Sequence, residues 1–172
     1  MIRFTVLVAD PDPHSALAAA AGRAARALAA QAGLDAEPHT VDLAELGPAL
    51  LAADAGRDVT DAVERVRDAD VVLVATPQTH GSYTGLLKVF LDRLPELGMG
   101  RGVAVPMAAV PDLRNGRNIE EDLRVLLSDL GAWVLEPALL LAAAELADPA
   151  EVIGAWAEVA APAVGQAVAV SA

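Results

Sequence analysis

The residues with the clearest chemical potential lie in one loop, residues 77–83, directly after a run of mostly β-branched residues at positions 71–76. Such a run, bounded by Asp70 and a proline, is typical of a strand that is buried on both faces of a parallel sheet. In open α/β proteins, a ligand lies in the crevice beyond the carboxyl end of such a strand. His80 could donate a proton there or contact a ligand edge, although a lone loop histidine is more often solvated. The pattern predicts a ligand site at this loop.

A second polar cluster follows the first predicted strand, where Asp10, Asp12 and His14 alternate with two prolines. Oxygen and imidazole ligands could together bind a divalent metal, but no further ligands lie nearby in sequence. A turn capped by the aspartates is the better interpretation. A phosphoacceptor receiver also carries acidic residues here, but it needs an aspartate at the end of strand three, where residues 75–77 read Ala-Thr-Pro. We therefore reject the receiver interpretation.

Other candidate groups are weaker. Arg114 and Arg117 could hold an anionic ligand or the phosphate of a nicotinamide, but a solvated turn around residues 115–116 is the more common explanation. His39 lies on a predicted strand and is interpreted as structural. The sequence has no Ser-His-Asp spacing, Walker loop or His-Glu-x-x-His helix, which argues against a hydrolase, an ATPase and a zinc protease.

Composition narrows the possible partners. The 172 residues suit one domain, residues 1–172, and 55% of them are hydrophobic. The formal net charge of −12 at pH 7 disfavours nucleic acid and anionic membrane surfaces as partners. There is no cysteine, no signal-peptide pattern is evident, and apolar runs such as residues 137–144 are too short to cross a membrane. We therefore predict a cytoplasmic protein.

Strand and helix patterns alternate five times along the chain. Strands are predicted at residues 2–8, 36–43, 71–76, 102–109 and 132–141, the last interrupted at Pro137. Helices are predicted at residues 15–33, 56–67, 118–130 and 149–168, and in the leucine-rich segment that ends at Pro95. This alternation predicts an α/β protein: a flavodoxin-like, doubly wound three-layer sandwich with a five-stranded parallel sheet.

Three short motifs then suggest a family: Ala-Thr-Pro at residues 75–77, Gly-Ser-Tyr-Thr-Gly at 81–85 and Leu-Lys-Val-Phe-Leu-Asp at 87–92. Together with Leu94-Pro95 they resemble the NAD(P)H-dependent FMN reductase family of flavodoxin-like proteins, especially the reductases that supply reduced flavin to sulfonate monooxygenases. The resemblance implies an oxidoreductase with non-covalently bound FMN, NAD(P)H as co-substrate and a homodimer or homotetramer. It implies no catalytic side chain and no metal.

The resemblance also implies where the flavin is bound. Ser15 would contact the FMN phosphate at the start of the first helix. The expected contacts to the isoalloxazine ring and its surroundings come from the loop after the third strand: Pro77, Gln78, Thr79, His80, Gly81, Ser82 and Tyr83.

This sequence departs from the family pattern at three of the expected contacts. Asp10 and Asp12 replace the serine and arginine of the family's Gly-Ser-x-Arg phosphate loop, which puts two carboxylates beside a doubly charged anion. Thr79 replaces a tyrosine expected near the ring. Residues 108–111, Ala-Ala-Val-Pro, replace a Gly-Gly turn, so Ala109 brings an added Cβ.

Two hypotheses follow from these observations. The first is an NAD(P)H-dependent FMN reductase in which the flavin carries the hydride chemistry. The alternative is a flavin-free family member that acts as a ligand-binding or partner module with a rebuilt cleft. Self-association is also expected, because the segment from Tyr83 to Leu94 is predicted to expose a tyrosine and leucines.

Overall fold

The computed structural model describes residues 1–100 and 102–171. The strands are β1 (Phe4–Val8), β2 (His39–Asp42), β3 (Val71–Pro77), β4 (Val103–Val110), β5 (Trp133–Val134) and β6 (Leu139–Ala142). The helices are α1 (Ala16–Gln31), α2 (Leu43–Leu46), α3 (Gly56–Arg67), α4 (Gly85–Leu91), α5 (Gly116–Asp129), α6 (Ala143–Ala147) and α7 (Ala150–Ser171). Two short 3₁₀ turns, Gly47–Leu51 and Leu113–Asn115, lie between them.

The strands form one parallel sheet in the order β2-β1-β3-β4-β5, with β6 also paired to β4. This is the flavodoxin-like order, and the predicted fold class is confirmed. The chain winds from β1 to β2 on one side and continues through β3 to β4 on the other. The register places Val8 beside both Asp42 and Ala75, so the ends of β1, β2 and β3 meet at one edge.

The predicted fifth strand consists of two short segments. β5 pairs with Val103 and Ala104, whereas β6 pairs with residues 107–110 of the same strand. Pro137 lies between the two segments, as the sequence predicts. Both segments therefore occupy the same position beside β4, and the sheet is five strands wide although it has six strands.

The core has two layers, one on each side of the sheet. Val6, Leu73 and Val105 point into a cluster covered by α1 and α7. Leu7, Val72 and Val74 belong to a second cluster, covered by α3, α4 and α5. The alternation along each strand explains why nearly every strand residue is apolar, as expected for a sheet that is covered on both faces.

Helix α4 is only seven residues long, shorter than the leucine-rich segment suggests. Leu87, Phe90 and Leu91 are at most 2% exposed. Burial of each such side chain stabilises the fold by about 1.5–3 kcal/mol. Tertiary packing therefore holds this short helix, and it fixes the end of the loop that precedes it.

The expectation that no segment is long enough to cross a membrane needs a correction. Residues Ala150–Val170 of α7 form a helical stretch that is long and apolar enough by length and composition, with a mean hydropathy of 1.3. Scattered alanines and valines make this segment less conspicuous than a leucine run. In the fold, Ile153, Ala157 and Val164 of this helix belong to the core cluster that also contains α1 residues.

Candidate functional site

Two loops meet at the carboxyl edge of the sheet, on either side of the point where the winding direction reverses. We call residues 9–15, after β1, the β1 loop, and residues 78–84, after β3, the β3 loop. The Thr84 hydroxyl donates a hydrogen bond to the carbonyl oxygen of Ala9 at 2.9 Å, which joins the two loops directly. A crevice in this position is where doubly wound proteins bind ligands.

A pair of buried threonines fixes this junction. Thr76 and Thr84 are 0% and 5% exposed. The main-chain N–H of Thr84 donates to the Thr76 hydroxyl oxygen at 3.2 Å, and the Thr84 hydroxyl oxygen accepts the N–H of Leu87 at 3.3 Å as the N-cap of α4. Both residues belong to the motifs of the sequence, but no role was predicted for either. The signal was a threonine that ends a buried strand and a second threonine one residue before a predicted helix.

The tip of the β3 loop is a tight reverse turn. Thr79 and Ser82 exchange two main-chain hydrogen bonds of 2.8 and 3.2 Å, and the central residues His80 and Gly81 have φ values of 52° and 88°. Positive φ at both central positions is the signature of a type I′ turn. Within the described part of the chain, the N–H groups of His80 and Gly81 have no hydrogen-bond acceptor. The turn thus presents two main-chain donors at an exposed tip.

The base of the same loop is tied to β4. The N–H of Gln78 donates to the carbonyl oxygen of Ala109 at 2.8 Å, and its side-chain amide donates to the Gly81 carbonyl at 3.2 Å. Ala109 thus supports the β3 loop through its carbonyl group.

The predicted ring contacts divide into two groups. Gln78, His80 and Gly81 line a cleft of about 320 Å³ together with Pro111 and Asn118. Beside them, Pro77 is partly buried as the last residue of β3, and Thr79 is exposed.

Ser82 and Tyr83 are not among the residues that line this cleft, and both hold the loop in place. The Ser82 hydroxyl donates to a carboxylate oxygen of Asp122 on α5 at 2.6 Å. Tyr83 is partly buried against the core, as is Leu86, and Leu94 is only 8% exposed. The expectation that this segment exposes a tyrosine and leucines for self-association is therefore wrong, because these side chains pack inward.

The β1 loop has a different character. The N–H of Asp12 donates to the Asp10 carboxylate at 3.1 Å, so the capped-turn interpretation of this segment is confirmed. The N–H of His14, which has a φ of 55°, donates to the Asp42 carboxylate at 3.0 Å. Ser15 is the N-cap of α1, where its hydroxyl oxygen accepts the N–H of Ala18 at 3.2 Å.

Two further carboxylates lie beside this loop, and neither was predicted there from the sequence. Asp42 ends β2 and is 8% exposed, and its second oxygen accepts the N–H of Ala44 at 3.1 Å. Glu45 lies 3.2 Å from Nε2 of His14. Asp42 lies inside the predicted strand 36–43, where no capping role was expected, and only the sheet register shows that it lies beside the β1 loop.

Neither of the arginines considered as anion ligands is among the residues that line the 320 Å³ cleft. Arg114 forms an exposed ion pair with Asp112 at 2.8 Å, and this hydrogen bond lowers the pKa of the Asp112 carboxyl. Arg117 lines a different cleft, of about 450 Å³, with glutamates and Arg124. Gly116, predicted to lie in a solvated turn, is buried as the first residue of α5.

Larger clefts of about 580 and 630 Å³ lie elsewhere, at the amino edge of the sheet. Both are lined by Arg3 and Asp68, residues next to the starts of β1 and β3. We place the candidate site at the smaller cleft, because the strand ends and helix N-termini that bind ligands in this fold are at the opposite edge.

Comparison with known proteins identifies the family. The family model described as NADPH-dependent FMN reductase matches residues 2–145, which include both loops. The chain belongs to this FMN reductase family. The match confirms the resemblance inferred from the Thr-Pro, Ser-Tyr-Thr-Gly and Leu-Lys-Val-Phe-Leu-Asp motifs.

Individual members of the FMN reductase family have limited sequence identity with this chain. The chain is 29% identical to the NADH-dependent FMN reductase SfnE of Pseudomonas putida over 116 residues, which are 65% of this chain and 62% of that protein. It is 31% identical to the FMN reductase (NADPH) of Escherichia coli strain K12 over 102 residues, which are 58% and 53% of the two chains. Each alignment thus spans less than two thirds of the relative.

A solved oxidoreductase from Corynebacterium diphtheriae has the same fold, with a TM-score of 0.80 at 23% identity. The superposition covers 98% of this chain and 97% of that one. The flavodoxin-like architecture is therefore complete in the described part of the chain.

The two ends of the crevice fit FMN unequally. At the β3 loop, two exposed N–H donors and an adjacent cleft suit the polar edge of a planar heterocycle. At the β1 loop, carboxylates lie where a phosphate would be bound. Every buried side-chain polar atom of the described residues already has a hydrogen-bond partner, so none of them needs a phosphate as its partner. The residues present fit the ring of a flavin and do not fit its phosphate.

Proposed function

We propose that this protein is an NAD(P)H-dependent flavin reductase of the FMN reductase type. The observation that carries the proposal is the family match across residues 2–145, together with the β3 loop, which is fixed by its turn and by its hydrogen bonds to β4 and α5. A bound flavin accepts a hydride from NAD(P)H and so supplies the chemistry. The protein binds and orients the ring, and no side chain of the site needs to act as an acid or base.

The proposed roles follow the positions of the side chains. Gln78, His80 and Gly81 would contact the polar edge of the ring, with Pro77 and Thr79 beside them. Ser82 and Tyr83 position the loop through α5 and the core. At the other end of the crevice, Ser15 caps α1.

Several finer properties belong to the same proposal. We propose flavin and nicotinamide as the only partners of the site, with no nucleic acid or membrane partner, and a cytoplasmic location. The net charge of −12 supports the first exclusion. A homodimer or homotetramer is proposed from the resemblance to the family alone.

The direct test is oxidation of NADH and NADPH by the purified protein, followed by nicotinamide absorbance with FMN or riboflavin as acceptor. We expect flavin-dependent oxidation with at least one nicotinamide. No oxidation with either flavin, together with no flavin binding, would contradict the proposal. It would favour the alternative of a flavin-free binding or partner module, which none of the comparisons supports.

A pair of glycine variants tests the location of the site. Gly81 and Gly33 both have positive φ, 88° and 63°, and an added Cβ would meet nothing within 4 Å at either position. Gly81→Ala and Gly33→Ala should therefore lose similar stability, about 1 kcal/mol each. Only Gly81→Ala should weaken flavin binding, because Gly33 follows α1 at the opposite end of that helix. Equal flavin binding by the two variants would contradict the proposed site.

A further inference from the structure

The β1 loop occupies the position where a doubly wound protein binds an anion. It joins the carboxyl end of β1 to the N-terminus of α1, at the point where the strand order reverses. A helix N-terminus at such a point favours a phosphate, through its free N–H groups and its dipole. The chemistry of the loop therefore decides whether the ligand carries a phosphate.

The main chain of this loop offers few donors. Pro11 and Pro13 have no N–H group. The N–H groups of Asp12 and His14 donate to the carboxylates of Asp10 and Asp42. Four consecutive positions thus have no main-chain donor available for a phosphate.

The charge of the region is unfavourable as well. Asp10, Asp12, Asp42 and Glu45 all lie in or beside the loop, and neither residues 4–22 nor residues 38–56 contain a lysine or arginine. His14, which also belongs to the loop, faces Glu45 at 3.2 Å. A phosphate monoester carries a charge of about −1.5 to −2 and only accepts hydrogen bonds once it is fully ionised. Its oxygens would face carboxylate oxygens, which cannot donate a hydrogen bond to the phosphate and which repel its negative charge.

A hydroxyl group suits the same loop. Each carboxylate oxygen can accept a hydrogen bond from an O–H donor, and such charge-assisted bonds are among the stronger ones. Asp12 is exposed and Asp10 is partly exposed, so their remaining lone pairs can be reached from the crevice. The acceptor-rich loop therefore complements the end of a neutral polyol chain.

We propose that the preferred flavin of this protein is one without a phosphate: an isoalloxazine with an uncharged polyol side chain, as in riboflavin, bound more tightly than FMN. The proposal rests on the proposed flavin reductase function. It assigns the discrimination to the four carboxylates of the β1 loop, of the adjoining end of β2 and of α2: Asp10, Asp12, Asp42 and Glu45. The β3 loop binds the part that the two flavins share.

The first test compares riboflavin with FMN on the unaltered protein, with dissociation constants from flavin fluorescence or calorimetry. We expect FMN to bind at least about tenfold more weakly than riboflavin, because its phosphate brings about two negative charges close to the carboxylates of the loop, and solvent screens this repulsion only partly. Equal or tighter binding of FMN would overturn the preference while leaving the reductase function in place. Binding of neither flavin would instead remove the proposed function, and this inference with it.

A charge-reversal variant tests the cause. Asp12→Arg should raise FMN affinity by about five- to tenfold and leave riboflavin affinity within about twofold. Asp12→Asn should give a smaller change in the same direction. The matched control is Glu37→Arg, an equal change in net charge at an exposed position before β2, at the opposite edge of the sheet. If Glu37→Arg raised FMN affinity as much as Asp12→Arg, net charge rather than the loop would be responsible, and the assignment would be wrong.

Discussion

The β3 loop and the β1 loop lie side by side at one edge of the sheet, yet they are built from opposite chemistry. The β3 loop leaves N–H donors exposed at its turn, whereas the β1 loop bonds the N–H groups of Asp12 and His14 to carboxylates and presents carboxylate acceptors. One hydrogen bond, from the Thr84 hydroxyl to the Ala9 carbonyl, connects them. The contrast teaches that two adjacent loops at the ligand-binding edge of one sheet can present opposite hydrogen-bonding groups.

The largest expected effect comes from removing the connection between the loops. Thr84→Val keeps the shape of the side chain but leaves the Ala9 carbonyl and the Leu87 N–H without their partner. We expect a loss of about 2–3 kcal/mol in the free energy of unfolding, measured by chemical denaturation. The control is Thr60→Val on the exposed face of α3, where the hydroxyl bonds to the Gly56 carbonyl, with a change of about 0.5 kcal/mol or less. Similar losses in the two variants would show that the junction has no special role.

The next largest effect is expected from removing the carboxylate that supports the β1 loop. Asp42→Ala removes the acceptor for the N–H groups of His14 and Ala44. Stability should fall by about 1–2 kcal/mol, because a buried cap and a loop contact are lost together. FMN affinity should rise relative to riboflavin, since a negative charge is removed. Glu37→Ala serves as the comparison at the other end of β2, and it should change neither quantity.

A smaller effect is expected from a change that alters the β3 loop alone. Ser82→Ala removes the 2.6 Å bond to Asp122 that ties this loop to α5. We expect a loss of about 1 kcal/mol in stability and weaker binding of riboflavin and FMN by the same factor, because both share the ring. Ser128→Ala, at an exposed position of the same helix, is the control. If Ser82→Ala weakened only FMN binding, the β3 loop would contact the phosphate rather than the ring, and the proposed division between the two loops would be wrong.

The smallest effect concerns the amino edge of the sheet. Arg3 donates hydrogen bonds to Asp70 from its side chain and its main-chain N–H, and the side-chain bond is the main cause that lowers the pKa of Asp70. A lowered pKa stabilises the fold above the pKa of the unfolded chain, and this contribution is lost as the pH falls through the folded-state value. Because Arg3 is well exposed, Asp70→Asn should cost only about 0.5 kcal/mol near neutral pH.

In acid, the stabilities of Asp70→Asn and of the unaltered protein should converge. Flavin binding should be the same in both at every pH where they are folded, since this pair is far from the two loops. A difference that persisted in acid would assign another role to Asp70.

The sequence predicts the sheet and the β3 loop well, because both depend on local patterns. The β-branched run before Pro77 identifies the central strand, and Gly81 identifies the turn. The buried pair Thr76 and Thr84 was missed, since only the folded chain shows that two threonines eight residues apart bond to each other. Asp42 was missed for a similar reason: its place beside the β1 loop comes from the pairing of β2 with β1.

Two predictions were wrong because they treated segments in isolation. The segment from Tyr83 to Leu94 was expected to expose apolar side chains, but the packing of α4 on the sheet turns them inward. The apolar length of α7 was overlooked, although its face toward α1 carries many of the core residues on that side of the sheet. In both cases the contacts with distant elements decide the outcome, and no local pattern contains them.

The most direct test of the contrast between the two loops is the dissociation constant of FMN relative to that of riboflavin, followed as salt concentration rises. We predict a ratio well above one at low salt that falls toward one as the carboxylates of the β1 loop are screened, with little change for riboflavin. A ratio below one that rises with salt would mean that cations hold the phosphate, which would contradict the account.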